Sequence, residues 1–151
     1  MDRILSAFAD AGVSCSVHFR HGLPARVETL RAKGIEVHDT PQSLAQVLPQ
    51  VSAVIHHASL NTASAALVAG RPQLVIPRHL EQDLTAKALH ESGVGCVLGG
   101  RLTMQNVGQS LRALTEDSSC AANAHALAEE LYQRGAAESL DPVVESCLDL
   151  L

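Results

Sequence analysis

A chain that alternates short apolar runs with helical stretches, over and over, has few folds open to it. Residues Val13 to Phe19 alternate in polarity, and Ile35–His38, Val51–His56, Gln73–Ile76 and Gly95–Leu98 are short, apolar and β-rich. Between these runs the apolar residues return at helical spacing. Ile4, Leu5, Phe8 and Ala11 open the chain as a helix that stops at Gly12. Leu23 to Lys33 reads as loop then helix, closed by Gly34. Thr40-Pro41-Gln42 breaks the chain, and Ser43 caps a short helix through Leu48. Further helices are expected from about Thr62 to Ala69, stopped by Gly70 and Pro72, and from Gln82 to Ser92, stopped by Gly93. Three more follow near 103–115, 118–134 and 138–150. Strands joined through helices are parallel, because parallel neighbours need crossover connections. The expected fold is α/β, a Rossmann-like doubly wound parallel sheet of five strands in one domain of 151 residues. Ligands of such sheets bind at the carboxyl ends of the strands, here the loops after His38, His56 and Ile76.

Composition narrows the partners. Hydrophobic residues make up 46% of the chain, enough for a core, but aromatics only 2%, so that core must be built from Ala, Val, Leu and Ile. The net charge is −5 with no Lys/Arg cluster, which excludes a nucleic-acid surface. One phosphorylated small molecule stays open, since backbone N–H groups hold phosphate without net positive charge. The four cysteines (Cys15, Cys96, Cys120, Cys147) form no CxxC pair, so a reduced, cytoplasmic setting is expected. No apolar run approaches the roughly 18 residues of a membrane span, and the start of the chain has no signal-peptide pattern. Eight histidines are scattered along the chain, and no metal site is expected from them.

Three loops carry the least ordinary residues. In His56-His57-Ala58-Ser59-Leu60-Asn61-Thr62 a buried strand runs into a polar turn and a helix. The helix start offers unpaired N–H groups and a positive dipole end, a ready phosphate site. The plainer alternative is that Asn61 or Thr62 is only an N-cap. Pro77-Arg78-His79-Leu80-Glu81-Gln82-Asp83 follows the next strand. Its carboxylate beside a carboxamide suits sugar hydroxyls, which donate and accept. Equally, Glu81 and Asp83 suit the dipole of a helix start. Asp39-Thr40-Pro41-Gln42, taken alone, is a turn.

Taken in order, these motifs resemble the C-terminal domain of the GT-B nucleotide-diphosphosugar glycosyltransferases, the group of plant UDP-glycosyltransferases and bacterial antibiotic glycosyltransferases. The matching series is Pro41-Gln42, Val51–His56, His57 to Thr62, Gly70-Arg71-Pro72, Leu74–Pro77 and Glu81-Gln82, across about 65 residues. The resemblance divides the single domain into an N-terminal part (1–34), a motif-bearing core (35–100) and C-terminal helices (101–151). It implies that His57 contacts the donor diphosphate. Asn61, Thr62 and the backbone of Ser59 would hold phosphate oxygens, Gln42 would lie near the nucleoside, and Glu81 and Gln82 would bond the transferred sugar. The implied substrate is a UDP- or TDP-sugar, with no further cofactor and no metal, because helix dipole and histidine serve the leaving diphosphate.

The chain departs from the family pattern at several points. Ala58 and Ser59 replace a Gly-Gly or Cys-Gly pair, and a left-handed angle at Ser59 would be strained. Asp39 replaces a base-stacking Trp, and Ala65 a ribose-binding Glu. The family domain also opens with a central strand that has no counterpart before the first helix here. The fold is therefore expected to lack its first strand, leaving unpaired edges near Val13–Phe19 and Val51–His56. Either a strand shift closes the sheet, or the chain self-associates as a homodimer. The acceptor-binding N-terminal domain, the implied partner and usual source of the catalytic base, is likewise expected to be missing, so no catalytic residue is assigned. Two other readings stand beside this one: a non-catalytic nucleotide-binding or interaction module, and a nucleotide-sugar 2-epimerase-like domain, for which only Glu81 is evident.

Overall fold

The computed structural model describes residues 13–18, 24–99 and 118–137, together with Leu5, Gln109, Ser110 and Leu114. The expected helices over the first residues and near 138–150, and nearly all of the one near 103–115, lie outside the described residues. Along the rest the order is β1 (Ser16–His18), α1 (Pro24–Ala32), β2 (Glu36–His38), α2 (Leu44–Val47), a 3-10 turn (Leu48–Gln50), β3 (Val54–His56), α3 (Leu60–Val68), β4 (Gln73–Val75), α4 (Leu80–Glu91), β5 (Gly95–Val97) and α5 (Ser118–Ala137). Every strand pair is parallel.

Three helices end in the same way, and the sequence shows why. Gly34, Gly70 and Gly93 take φ of 80°, 65° and 66°. Each N–H bonds back three residues, and the next residue's N–H bonds back five: Gly34 to Arg31 and Ile35 to Leu30, Gly70 to Leu67 and Arg71 to Ala66, Gly93 to His90 and Val94 to Leu89. This is the Schellman closure, which needs a left-handed residue at its turn. In each case the chain is released within a few residues into the next strand.

The strands do not form one sheet. β1 pairs with β2, with Val17 opposite Val37. β3 pairs with β4, and β4 with β5. Among the described residues no ladder joins β1 to β3, so a two-stranded and a three-stranded sheet stand side by side. The unpaired edges fall on the two strands where they were expected. A single continuous sheet, the other expected outcome, is not formed among the described residues. The side-chain layer nevertheless runs across the gap. Val27, Leu30, Val37, Leu74, Ile76 and Leu98 share one buried cluster, with Val17 and Ile55 packed against it. The opposite face of β4 carries Val75 into a second cluster with Ala63, Ala86, Leu89 and Ala124, from α3, α4 and α5. Helices thus cover both faces, as a doubly wound arrangement requires.

Element boundaries differ from the sequence expectation. Each strand is three residues long. β3 starts only at Val54, because Val51 N–H still closes the 3-10 turn on the Leu48 carbonyl. Helices α3 and α4 begin two residues earlier than expected, at Leu60 and Leu80. Cys15, Cys96 and Cys120 are in no disulfide. Among the described residues no helix is long and apolar enough to cross a membrane.

Candidate functional site

The parallel pairing of β3 with β4 sets their carboxyl-end loops side by side, which brings two of the three polar loops together. β3 ends at His56. The chain then turns through Ala58, whose φ of 60° is the only left-handed value outside glycine among the described residues. The left-handed angle therefore falls on Ala58 and not on Ser59, where it would also have been strained. Ser59 is relaxed (φ −65°, ψ 138°) and occupies the N-cap position of α3. A left-handed L-residue costs roughly 1–2 kcal/mol, so something must hold Ala58 there.

The start of α3 is open in a particular way. Ser59, not Asn61 or Thr62, is the N-cap residue, and no side chain caps the helix. The Ser59 hydroxyl donates instead to Thr62 Oγ1 at 2.9 Å. No acidic residue lies in the first turn. Uncapped N–H groups and the positive dipole end are left facing solvent, with exposed Ser59 and Asn61 and half-buried Thr62 around them.

His57 stands beside this turn. Its Nδ1 donates to the Ile76 carbonyl oxygen at 2.8 Å, tying the end of β3 to the end of β4. That bond fixes the ring and leaves Nε2 as its remaining polar atom. His56 is half-buried, and its Nε2 and Nδ1 meet Gln73 Oε1 at 2.8 Å and the Ala58 N–H at 3.1 Å. Burial pushes the His56 ring below its ordinary value. The Gln73 hydrogen bond opposes that shift, and neighbouring His57 adds to it.

The second loop has the opposite character. The α4 start also lacks a side-chain cap at its N-cap residue, His79, but Glu81 and Asp83 lie in its first turn. Gln82 Oε1 accepts from the Arg78 N–H at 2.9 Å. The Gln82 carbonyl oxygen is therefore committed to the helix start, and its amide N–H groups stay available. Glu81 is exposed. One helix start carries no acidic side chain in its first turn, and its neighbour carries two.

Gln42 is not brought into this cluster. It follows β2, in the other sheet, and its amide donates to Thr40 O at 3.1 Å and Thr40 Oγ1 at 3.4 Å within its own turn. Asp39 pairs with Arg31 at 3.1 Å. Nearby, His38 Nε2 lies 2.8 Å from Ser16 Oγ and 3.6 Å from Glu36 Oε1. One ring nitrogen faces both groups, so this is no relay: nucleophile and orienting acid would have to sit on different nitrogens. A cavity of about 360 Å³ between α3, α4 and α5 is lined mostly by apolar residues, Leu60, Leu67, Leu84 and Leu127 among them, and by none of the polar site residues. No three His, Cys, Asp or Glu side chains converge as for a metal ion among the described residues.

Sequence reasoning overlooked His56, Gln73 and the left-handed Ala58. One signal was present: Gln73 is a polar residue in the apolar run Gln-Leu-Val-Ile, and it is fully buried.

Residues 17–150 match the family described as erythromycin biosynthesis protein CIII-like, C-terminal domain. The chain is 39% identical over 88 residues to elloramycin glycosyltransferase ElmGT of Streptomyces olivaceus, a stretch covering 58% of this chain and 22% of that protein. Among solved structures, spinosyn forosaminyltransferase SpnP superposes with a TM-score of 0.79 at 27% identity, over 98% of this chain and 38% of its own. Glycosyltransferase VinC, solved in complex with DTDP, gives a TM-score of 0.73 at 25% identity, over 85% of this chain and 32% of its own. The chain thus spans only a part, 22% to 38%, of the length of these relatives.

Proposed function

We propose a function from one premise: this chain belongs to the erythromycin biosynthesis protein CIII-like C-terminal domain family, and is the C-terminal domain of a GT-B glycosyltransferase. On this reading it binds a nucleoside-diphosphosugar, a TDP- or UDP-sugar, for transfer of the hexosyl group to an acceptor held by another domain. The observation that carries it is the uncapped, acid-free start of α3 directly after β3, with His57 fixed beside it.

The roles follow from the chemistry of each group. The α3 start, through the N–H groups from Ser59 to Thr62 and the side chains of Asn61 and Thr62, takes the diphosphate. His57, in its doubly protonated form, donates from Nε2 to a phosphate oxygen. Glu81 accepts from sugar hydroxyls, and the free amide N–H groups of Gln82 donate to them. Gln42 reaches the nucleoside by giving up its bonds to Thr40. Transfer breaks the anomeric C–O bond and builds negative charge on the leaving diphosphate. Donors already aimed at that oxygen stabilise the transition state more than the ground state.

The acceptor and the general base belong to the partner domain, so the chain alone binds donor without turnover. A second copy is the other partner, paired through the free edges of β1 and β3. Cys15, Cys96 and Cys120, which form no disulfide, fit a cytoplasmic setting. VinC's complex with DTDP supports a thymidine nucleotide. Calorimetric titration with TDP, UDP and GDP tests the reading: saturable binding of TDP or UDP is expected, and no binding of any of the three would overturn it.

A further inference from the structure

Gln73 is the one buried polar side chain among the described residues, with no exposed surface at all. A buried amide is costly unless its groups are bonded, so its partners are informative. Its Oε1 meets His56 Nε2 at 2.8 Å, and its Nε2 donates to the Ala63 carbonyl in α3 at 3.2 Å. The other nitrogen of His56 faces the Ala58 N–H at 3.1 Å.

The direction of every bond in this chain is determined. A backbone N–H only donates, so His56 Nδ1 carries a lone pair. The ring proton is then on Nε2 and is donated to Gln73 Oε1, and the Gln73 amide in turn donates to Ala63. Flipping the amide would set N–H against N–H and oxygen against oxygen. The scheme requires a neutral ring, and burial lowers the affinity of His56 for a second proton. The end of the series is Ala58, the left-handed residue. Ala58 is itself buried, joined to Ser59 on one side and His57 on the other.

We propose that His56 and Gln73 are positioning residues for diphosphate binding. Neutral His56 pins the left-handed Ala58 peptide, Gln73 anchors His56 to α3, and the two thereby hold His57 and the helix start in one frame. The inference rests on the reading that the turn from His57 to Thr62 takes the diphosphate. It also explains how the chain tolerates an alanine at a position where glycine would be unstrained.

The test is calorimetric titration of the full chain with TDP and UDP. His56→Ala weakens binding about tenfold, the effect of one lost hydrogen bond that orders a site. His56→Asn, whose side-chain oxygen replaces Nδ1 as acceptor, recovers much of the loss. Ala58→Gly restores binding in His56→Ala, because glycine needs no pin. Non-additivity of this kind marks coupled residues. Unchanged affinity in His56→Ala, or independent effects of the two substitutions, overturns the positioning role while leaving the binding site intact. No nucleotide binding by the wild type overturns the site itself, and the role with it. Should His56→Ala fail to fold, nitrogen-15 spectra of the wild type decide: a neutral His56 protonated on Nε2 is expected, and a charged ring or an Nδ1 proton at neutral pH overturns the proposal.

Discussion

The ring of His57 donates from Nδ1 to the carbonyl oxygen of Ile76 at 2.8 Å. The bond ties the end of β3 to the end of β4, and removing it leaves the Ile76 carbonyl to find another partner. His57→Ala is therefore expected to lower stability by about 1 kcal/mol in urea unfolding. An unchanged midpoint would show that this carbonyl is served as well by water.

Ala58 is 1% exposed and Ala66 is fully buried, yet their replacement by glycine should differ. At Ala66, inside α3, glycine loses about 0.8 kcal/mol of methyl burial and about 1 kcal/mol of helix propensity. At Ala58 the same methyl loss, and about 0.4–1 kcal/mol of unfolded-chain entropy, are offset by about 1–2 kcal/mol of relieved left-handed strain. Urea unfolding should put Ala58→Gly within about 0.5 kcal/mol of the wild type and Ala66→Gly about 2 kcal/mol below it. Equal losses would show that Ala58 is not strained.

Arg71 joins α3's exit to the turn before β3. Its Nε donates to Leu48 O at 2.9 Å and its Nη2 to Pro49 O at 3.0 Å. A lysine cannot reproduce that fork on two consecutive carbonyls. Arg71→Lys is expected to lower stability by about 1–2 kcal/mol in urea unfolding. No change would mean that both carbonyls are equally well served by water.

The His56 ring has its folded-state value lowered from 6.5, chiefly by burial. Below that pH the unfolded chain binds more protons at this site than the native state does. The contribution of neutral His56 is thus fully present above about pH 6.5 and is lost as pH falls. Unfolding midpoints at about pH 7.5 and about pH 5 should separate more in the wild type than in His56→Asn, which has nothing to titrate there. Equal separation would remove His56 as a source of acid sensitivity.

The order of elements was legible in the sequence because the helix stops are glycines. Gly34, Gly70 and Gly93 each close a helix in the left-handed form that only glycine adopts freely. The unpaired edges of β1 and β3 were legible from the resemblance alone, since no local pattern near Val17 or Ile55 announces a missing neighbour. His57 and the α3 start were found as a polar turn after an apolar strand. The position of the left-handed residue was not legible, because Ala58 and Ser59 both carry a Cβ and local sequence does not say which one bends. The His56–Gln73 pair depends on the register that sets His56 opposite Val75, two residues past Gln73 on the same face. That register joins residues 17 apart in sequence and is fixed by tertiary pairing. Gln42 shows the converse: its motif was legible, but the structure leaves it bonded to its own turn.

The central claim is that the turn from His57 to Thr62 holds a nucleoside diphosphate. Its most direct measurement is the affinity of the full chain for TDP and UDP in the wild type, His57→Ala and Asn61→Ala, with unfolding curves to show that each variant is folded. Each substitution is expected to cost about 1–3 kcal/mol, roughly five- to 150-fold in Kd. Nucleotide binding that both variants retain at full strength would contradict the account.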